Sequence, residues 1–134
     1  KCVPIHYYPN ATIASFGSVK GVDNMKNEIF NNGPIACGIN ANEIDDYHGG
    51  ILDVPNARKM INHIISIVGW GIDANTDNQY WIIRNSWGSY WGEMGFMRLS
   101  MGENQLGIEK SCAFAIPASW TEHNIPCDEN GENC

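Results

Sequence analysis

The stretch "YWIIRNSWGSYWGEMGF", Tyr80 to Phe96, crowds aromatic side chains around Arg84, Asn85 and three turn-forming glycines, Gly88, Gly92 and Gly95. So many indoles are unusual in a surface loop, and Arg84 and Asn85 interrupt what otherwise reads as a buried apolar strand. An amide buried among tryptophans has to satisfy its hydrogen bonds, and an imidazole N–H is one group able to do so. His63 is the candidate partner, because it opens the apolar run "HIISIVGWG", whereas His6, His48 and His123 lie in polar, turn-like contexts. Taken alone, a histidine at a strand start reads as structural. Facing Asn85, it gains a second reading: the asparagine holds the ring and fixes its tautomer, the part played by the third member of a catalytic triad. Trp81, Trp87 and Trp91 are expected to wrap Asn85 and keep water from that bond.

Working outward, "NHIISIVGWG" and "QYWIIRNSW" predict two strands joined by "IDANTDN", a loop of turn formers. The two strands are expected side by side, since only then do His63 and Asn85 meet. "GFMRLSM", "CAFAIP" and, upstream, "PIACGIN" predict further strands, and "NEIDDYHGGI" a turn closing on Gly49 and Gly50. Residues 22–32 place Val22, Met25 and Ile29 on one helical face, and Gly33-Pro34 ends the helix. One helix followed by several strands predicts an α+β domain with an antiparallel sheet or half-barrel. The chain divides at Pro117. Residues 1–117 form the domain, and the acidic segment 118–134, with Cys127 and Cys134 spaced to close a loop, forms a polar C-terminal extension.

The composition bounds the function. Of 134 residues, 43% are hydrophobic and 17% charged, a globular balance. The formal net charge of -7 speaks against nucleic acid or an anionic membrane surface as partner, both of which need a cationic face. The longest apolar run, "IISIVGW", is too short to cross a bilayer. "KCVPIHYYPN" lacks the charged-then-apolar architecture of a signal segment and reads as the start of a processed chain or fragment. Five cysteines stand at Cys2, Cys37, Cys112, Cys127 and Cys134 without a C-x-x-C or a histidine cluster, so no metal is expected. Spread in this way they fit a disulfide-forming compartment, with Cys2 the natural odd one out. Asn10-Ala11-Thr12 is a glycosylation sequon.

In order, "GPIACGI", "YHGGI", "NHIISIVGWG", "YWIIRNSWGSYWGEMGFMRL" and "GIEKSCAFAIP" resemble the papain-like cysteine peptidases, peptidase family C1. Within that family they are most similar to the cathepsin X (cathepsin Z) branch, through "GPI.CGI", "INH" and "IE..C.F". The resemblance implies the β-barrel-like C-terminal, or right, domain of a two-domain fold, antiparallel with one short helix. His63 then matches the catalytic histidine, Asn85 the asparagine that orients it, Trp87 the indole over their bond and Trp91 the second motif tryptophan. Gly38, Ile64 and Ser111 match the lining of the pocket for the substrate's second acyl-side residue, and the neutral Ser111 would leave that pocket no charge with which to select basic side chains. Cys37 and Cys112 match a structural disulfide. Asn62 stands where the family has Asp or Asn, and Arg84 and Glu93 receive no catalytic part.

The departure from the family is equally definite. No "CGSCW"-like nucleophile stretch and no upstream oxyanion-hole glutamine occur here. The resemblance therefore implies a base without its nucleophile: His63 and Asn85 of a Cys-His-Asn triad, inactive alone, with a separate N-terminal half as partner. The complete enzyme would act on peptide or protein substrates without a cofactor, as a C-terminal exopeptidase if cathepsin X-like, in lysosomes or outside the cell. Two alternatives stand beside it: an inactive peptide-binding relative, and a non-enzymatic aromatic-rich binding module.

Overall fold

Gly21 and Gly33, at φ of 80° and 95°, bracket the helix α1 at Val22–Asn32. Met25 and Ile29, one helical turn apart, form its buried face. Gly33 takes a conformation that L side chains rarely adopt, its N–H returns to the Ile29 carbonyl at 3.0 Å, and Pro34 cannot extend the helix. The computed structural model describes residues 9–121. Its strands are β1 at Ala11–Val19, β2 at Ile35–Ile39, β3 at Ile51–Leu52, β4 at His63–Ile72, β5 at Gln79–Arg84, β6 at Phe96–Ser100 and β7 at Cys112–Trp120. The expected pairing of Cys127 with Cys134 and the expected orphan Cys2 lie outside the described residues, as do His6 and His123.

The described chain forms two units. In Gly17–Phe114 the strands lie side by side as β7-β2-β4-β5-β6-β3. Every pairing is antiparallel except β3 with β6, which is parallel. The α+β class with one helix and a mostly antiparallel sheet holds, but no pairing joins β3 back to β7, so the sheet is open rather than barrel-like. The closing strand is the two-residue β3, too short to carry a further ladder. The other unit contains residues 9–16 and 115–121. There the Asn10 N–H donates to Thr121 Oγ1 at 3.0 Å, the Thr121 N–H donates to the Asn10 carbonyl at 3.0 Å, and Thr12 and Ser119 share a hydroxyl bond of 2.5 Å. Strand β7 accordingly runs on through residues 118–120.

The core follows from period-two alternation. Ile65 and Ile67 of β4, Trp81 and Ile83 of β5, and Met97 and Leu99 of β6 are buried on successive inward positions and meet Met25, Ile35, Ile39 and Leu106. Each such large side chain contributes about 1.5–3 kcal/mol on burial. Cys37 of β2 and Cys112 of β7 sit opposite each other in register and are joined by a disulfide. One buried carboxylate organises the polar side of this core. Glu109 accepts from Trp81 Nε1 at 3.0 Å and from the backbone N–H groups of Gly102 and Asn104, both at 2.8 Å.

Candidate active site

Antiparallel pairing of β4 with β5 sets the start of one strand beside the end of the other. The ladder runs from Ile72↔Gln79 to Ser66↔Arg84, with a register shift between Ile67 and Gly69. His63, the first residue of β4, therefore lies close to Asn85, the residue after β5, and His63 Nε2 stands 2.9 Å from Asn85 Oδ1. The orientation of the amide follows from its other contact. The Ser86 backbone N–H donates to the same oxygen at 2.8 Å, so the atom facing both groups is the carbonyl oxygen and not the NH₂. Nε2 must then carry the proton, and in the neutral ring Nδ1 keeps a free lone pair. Asn85 is buried, and its Nδ2 has no partner among the described residues.

Residues 86–95 fold back on themselves to build the wall of the site. The Asn85 N–H donates to the Gly95 carbonyl at 2.9 Å, and the Gly95 N–H donates to the Trp91 carbonyl at 2.8 Å. At Gly92, φ is 55° and a Cβ would stand 2.6 Å from the Phe96 carbonyl oxygen, so a side chain is excluded. The folded loop lays Trp87 on His63, ring centroids 5.1 Å apart and planes 27° apart, and sets Trp91 edge-on to Trp87 at 5.3 Å and 82°. Trp81 behaves differently from the expectation that three indoles wrap Asn85. It points inward with Ile83, is fully buried, and spends its N–H on Glu109. Arg84, Asn85, Ser86, Met94, Gly95 and Phe96 are among the residues that line an open cavity of about 520 Å³.

Gly38, Ile64 and Ser111 come together on three adjoining segments. Gly38 pairs with Ile64 across β2 and β4, and its N–H donates to the Ser111 carbonyl at 3.0 Å. Ile64 and Ser111 are exposed, while a Cβ at Gly38 would meet Ile61 Cγ2 at 2.7 Å, so the close packing of Ile61 on this strand requires glycine. Asn62 braces the start of β4: its Oδ1 accepts from the Ala41 N–H at 2.7 Å and its Nδ2 donates to Asn42 Oδ1 at 2.9 Å. Asn10 is exposed at the entry to β1.

Two groups that the sequence did not single out, Arg98 and Tyr47, gather with Glu93 beside Trp91. Glu93 forms a two-point ion pair with Arg98, through Nη2 at 2.6 Å and Nε at 3.0 Å, and also accepts from the Gly50 N–H at 2.9 Å. Hydrogen bonds from Arg98 hold the Glu93 carboxyl below its usual range against partial burial, with the Gly50 N–H adding to the effect. Tyr47 packs against Trp91 and donates to the Gly50 carbonyl, and burial pushes its phenol up. The "WGE" motif made Glu93 visible in the sequence, but nothing local pointed to Arg98 or Tyr47. Among the described residues, no group of three or more His, Cys, Asp or Glu is placed to hold a metal, and both cysteines are in the disulfide.

Comparison with known proteins fits this geometry. The profile described as papain family cysteine protease matches residues 4–116. A cathepsin Z of Onchocerca volvulus is 41% identical over 124 residues, 87% of this chain and 40% of the relative. Cathepsin F of Drosophila melanogaster is 36% identical over 70% of this chain and 16% of its own length. Among solved structures, a digestive procathepsin L 3 of Tenebrio molitor larval midgut superposes with a TM-score of 0.71 at 29% identity, covering 78% of this chain and 36% of that one. The bromelain protease of Ananas comosus, solved with the E64 inhibitor, also gives 0.71, at 26% identity, covering 78% of this chain and 50% of its own. The chain thus spans half or less of each of these relatives.

Proposed function

The chain belongs to the papain family of cysteine proteases, and from that premise we propose that His63 and Asn85 are its share of a Cys-His-Asn triad whose nucleophilic cysteine is carried by chain outside these residues. The observation that bears most weight is the 2.9 Å contact between His63 Nε2 and Asn85 Oδ1, with the ring proton committed to Nε2 by the amide's orientation. A ring held in that tautomer presents Nδ1 to a thiol. It takes the thiol proton, stabilises the thiolate as imidazolium, and returns a proton to the leaving amine when the peptide carbonyl is attacked. The acyl-enzyme is then hydrolysed by water. Trp87, stacked on the ring, shields the bond from solvent and favours the cationic imidazolium.

Peptides or proteins are the substrates of this reading. Gly38, Ile64 and Ser111 form the floor and walls of the pocket for the second acyl-side residue, and none of the three side chains is charged. The 41% identity to a cathepsin Z supports C-terminal exopeptidase action in the complete protein, to be read as single-residue release from peptides with a free C-terminus but not from amidated ones. The Cys37–Cys112 disulfide supports an oxidising compartment, lysosomal or extracellular. The exposed Asn10 is the proposed glycan acceptor, to be checked as a mass loss on amidase deglycosylation that Asn10→Gln removes.

The isolated chain tests the division of labour. Alone, it is expected to hydrolyse no peptide and to react with iodoacetamide no faster than a simple thiol. Joined to the segment that carries the nucleophile, it should restore rapid labelling on that segment. Cysteine-dependent hydrolysis by the isolated chain would overturn the assignment, because a cysteine within these residues would then be the nucleophile.

A further inference from the structure

The catalytic reading gives no part to Glu93, Arg98 and Tyr47, yet a continuous series of contacts leads from them to His63. The Glu93 carboxylate ties together two segments far apart in sequence. Oε1 accepts from the Gly50 N–H and from Arg98 Nη2, while Oε2 accepts from Arg98 Nε. The Tyr47 hydroxyl closes the same ring of bonds, donating to the Gly50 carbonyl at 2.5 Å and accepting from the Arg98 backbone N–H at 3.2 Å. Within this frame Trp91 is held from two sides. Its Nε1–H donates to the Ile44 carbonyl at 3.0 Å, and the Tyr47 ring lies against it at 5.5 Å. Trp91 presents its edge to Trp87, and Trp87 lies on His63.

We propose that Glu93, Arg98 and Tyr47 are positioning residues, a brace that fixes Trp91 and, through it, the Trp87 ring on His63. The inference rests on His63 being the triad base. The geometry supports it in three ways. Arg98 meets Glu93 with the two-point fork that only a guanidinium offers, so the direction of the pair is set as well as its charge. Trp91 is buried with its one polar atom satisfied, so it has a single arrangement in which to sit. Trp87 is only half-buried and makes its ring contacts with His63 and with Trp91. Loosening Trp91 therefore removes one of the two ring contacts that hold Trp87. The imidazolium loses the π face that favours its charge, and the Nε2–H bond gains access to water.

The test uses the assembled protease carrying Glu93→Gln, Tyr47→Phe or Arg98→Lys. In Glu93→Gln and Tyr47→Phe, kcat is expected to fall about five- to tenfold while KM stays within about twofold, the signature of a lost transition-state contribution. The pH midpoint of iodoacetamide alkylation and the His63 ring proton shifts should move in the direction seen in Trp87→Ala, which a remote structural role would not cause. Arg98→Lys, with its charge kept and its fork lost, should fall between these variants and the parent. Unchanged kcat, alkylation midpoint and ring shifts in folded Glu93→Gln and Tyr47→Phe would overturn the proposal. If Glu93→Gln fails to fold, Tyr47→Phe, which deletes one hydroxyl, decides alone. His63→Ala separates the two levels: full activity there removes the triad reading itself, whereas a dead His63→Ala beside unaffected Glu93→Gln and Tyr47→Phe removes only the brace.

Discussion

His63→Ala in the assembled protease is expected to lower kcat by roughly 10⁴- to 10⁶-fold, the range for removing a base that also assists the leaving group. The size follows from the two jobs that the proposed mechanism gives to one ring. Without imidazole the thiol titrates near its ordinary pKa of about 8.5, so little thiolate remains at acid pH, and the amine departs without a proton. Alkylation of the nucleophile against pH should therefore revert to a single high midpoint. Asn85→Ala should cost less, because it releases the ring from its tautomer and orientation but leaves the base in place. It also removes the buried Nδ2 that has no partner among the described residues, so part of its folding cost is offset. A His63→Ala protein that keeps activity within about tenfold of the parent would remove His63 from the mechanism, since no positional effect is so small for a triad base.

The second large effect is on stability. Replacing Cys37 and Cys112 together by Ala should lower the unfolding free energy by about 2–4 kcal/mol, read from urea midpoints of the assembled protein. The bridge spans 75 residues, and for a loop of that length the chain-entropy relation gives about 4.5 kcal/mol at the upper limit. Both cysteines are also buried, Cys37 completely, and alanine leaves part of their volume empty. The loss should fall on the β2–β7 pairing, which is in register only at Ala36↔Ala113 and Cys37↔Cys112. Amides of β7 near Cys112 should therefore exchange faster than those of the β4–β5 ladder. A double variant within about 1 kcal/mol of the parent would mean that strand pairing holds this edge without the bridge.

Much of the architecture was legible because single elements carry their own period. Strands β4 and β5 alternate as half-buried strands should, and Gly33-Pro34 marks the end of α1 with residues that can do little else. Strand β1 was not legible. From Ala11 to Phe16 every side chain is exposed, so neither face has an apolar rhythm, and the strand exists through hydrogen bonds to residues more than a hundred positions away. The same long range hides β3, whose two residues pair in parallel with β6.

At the site, the sequence by itself determined which groups are present: one histidine opening an apolar strand, one asparagine ending another, indoles and glycines between Ser86 and Phe96, and two cysteines able to bridge. The meeting of His63 with Asn85 was also legible, because neighbouring antiparallel strands allow few other placements. The motif had already matched Trp87 to the imidazole, but only the tertiary structure decided that Trp81 takes no part there. The pleat of β5 turns Trp81 inward to Glu109, a carboxylate that local sequence presents as an ordinary surface charge. The positive-φ turns at Gly88, Gly92 and Gly95 carry Trp87 back over the ring. The bonds among Tyr47, Glu93 and Arg98 likewise exist only in three dimensions, because they join residues up to 51 positions apart. Side-chain direction along a strand is a local property with a period of two, whereas an ion pair or a stacked ring depends on where separate segments arrive.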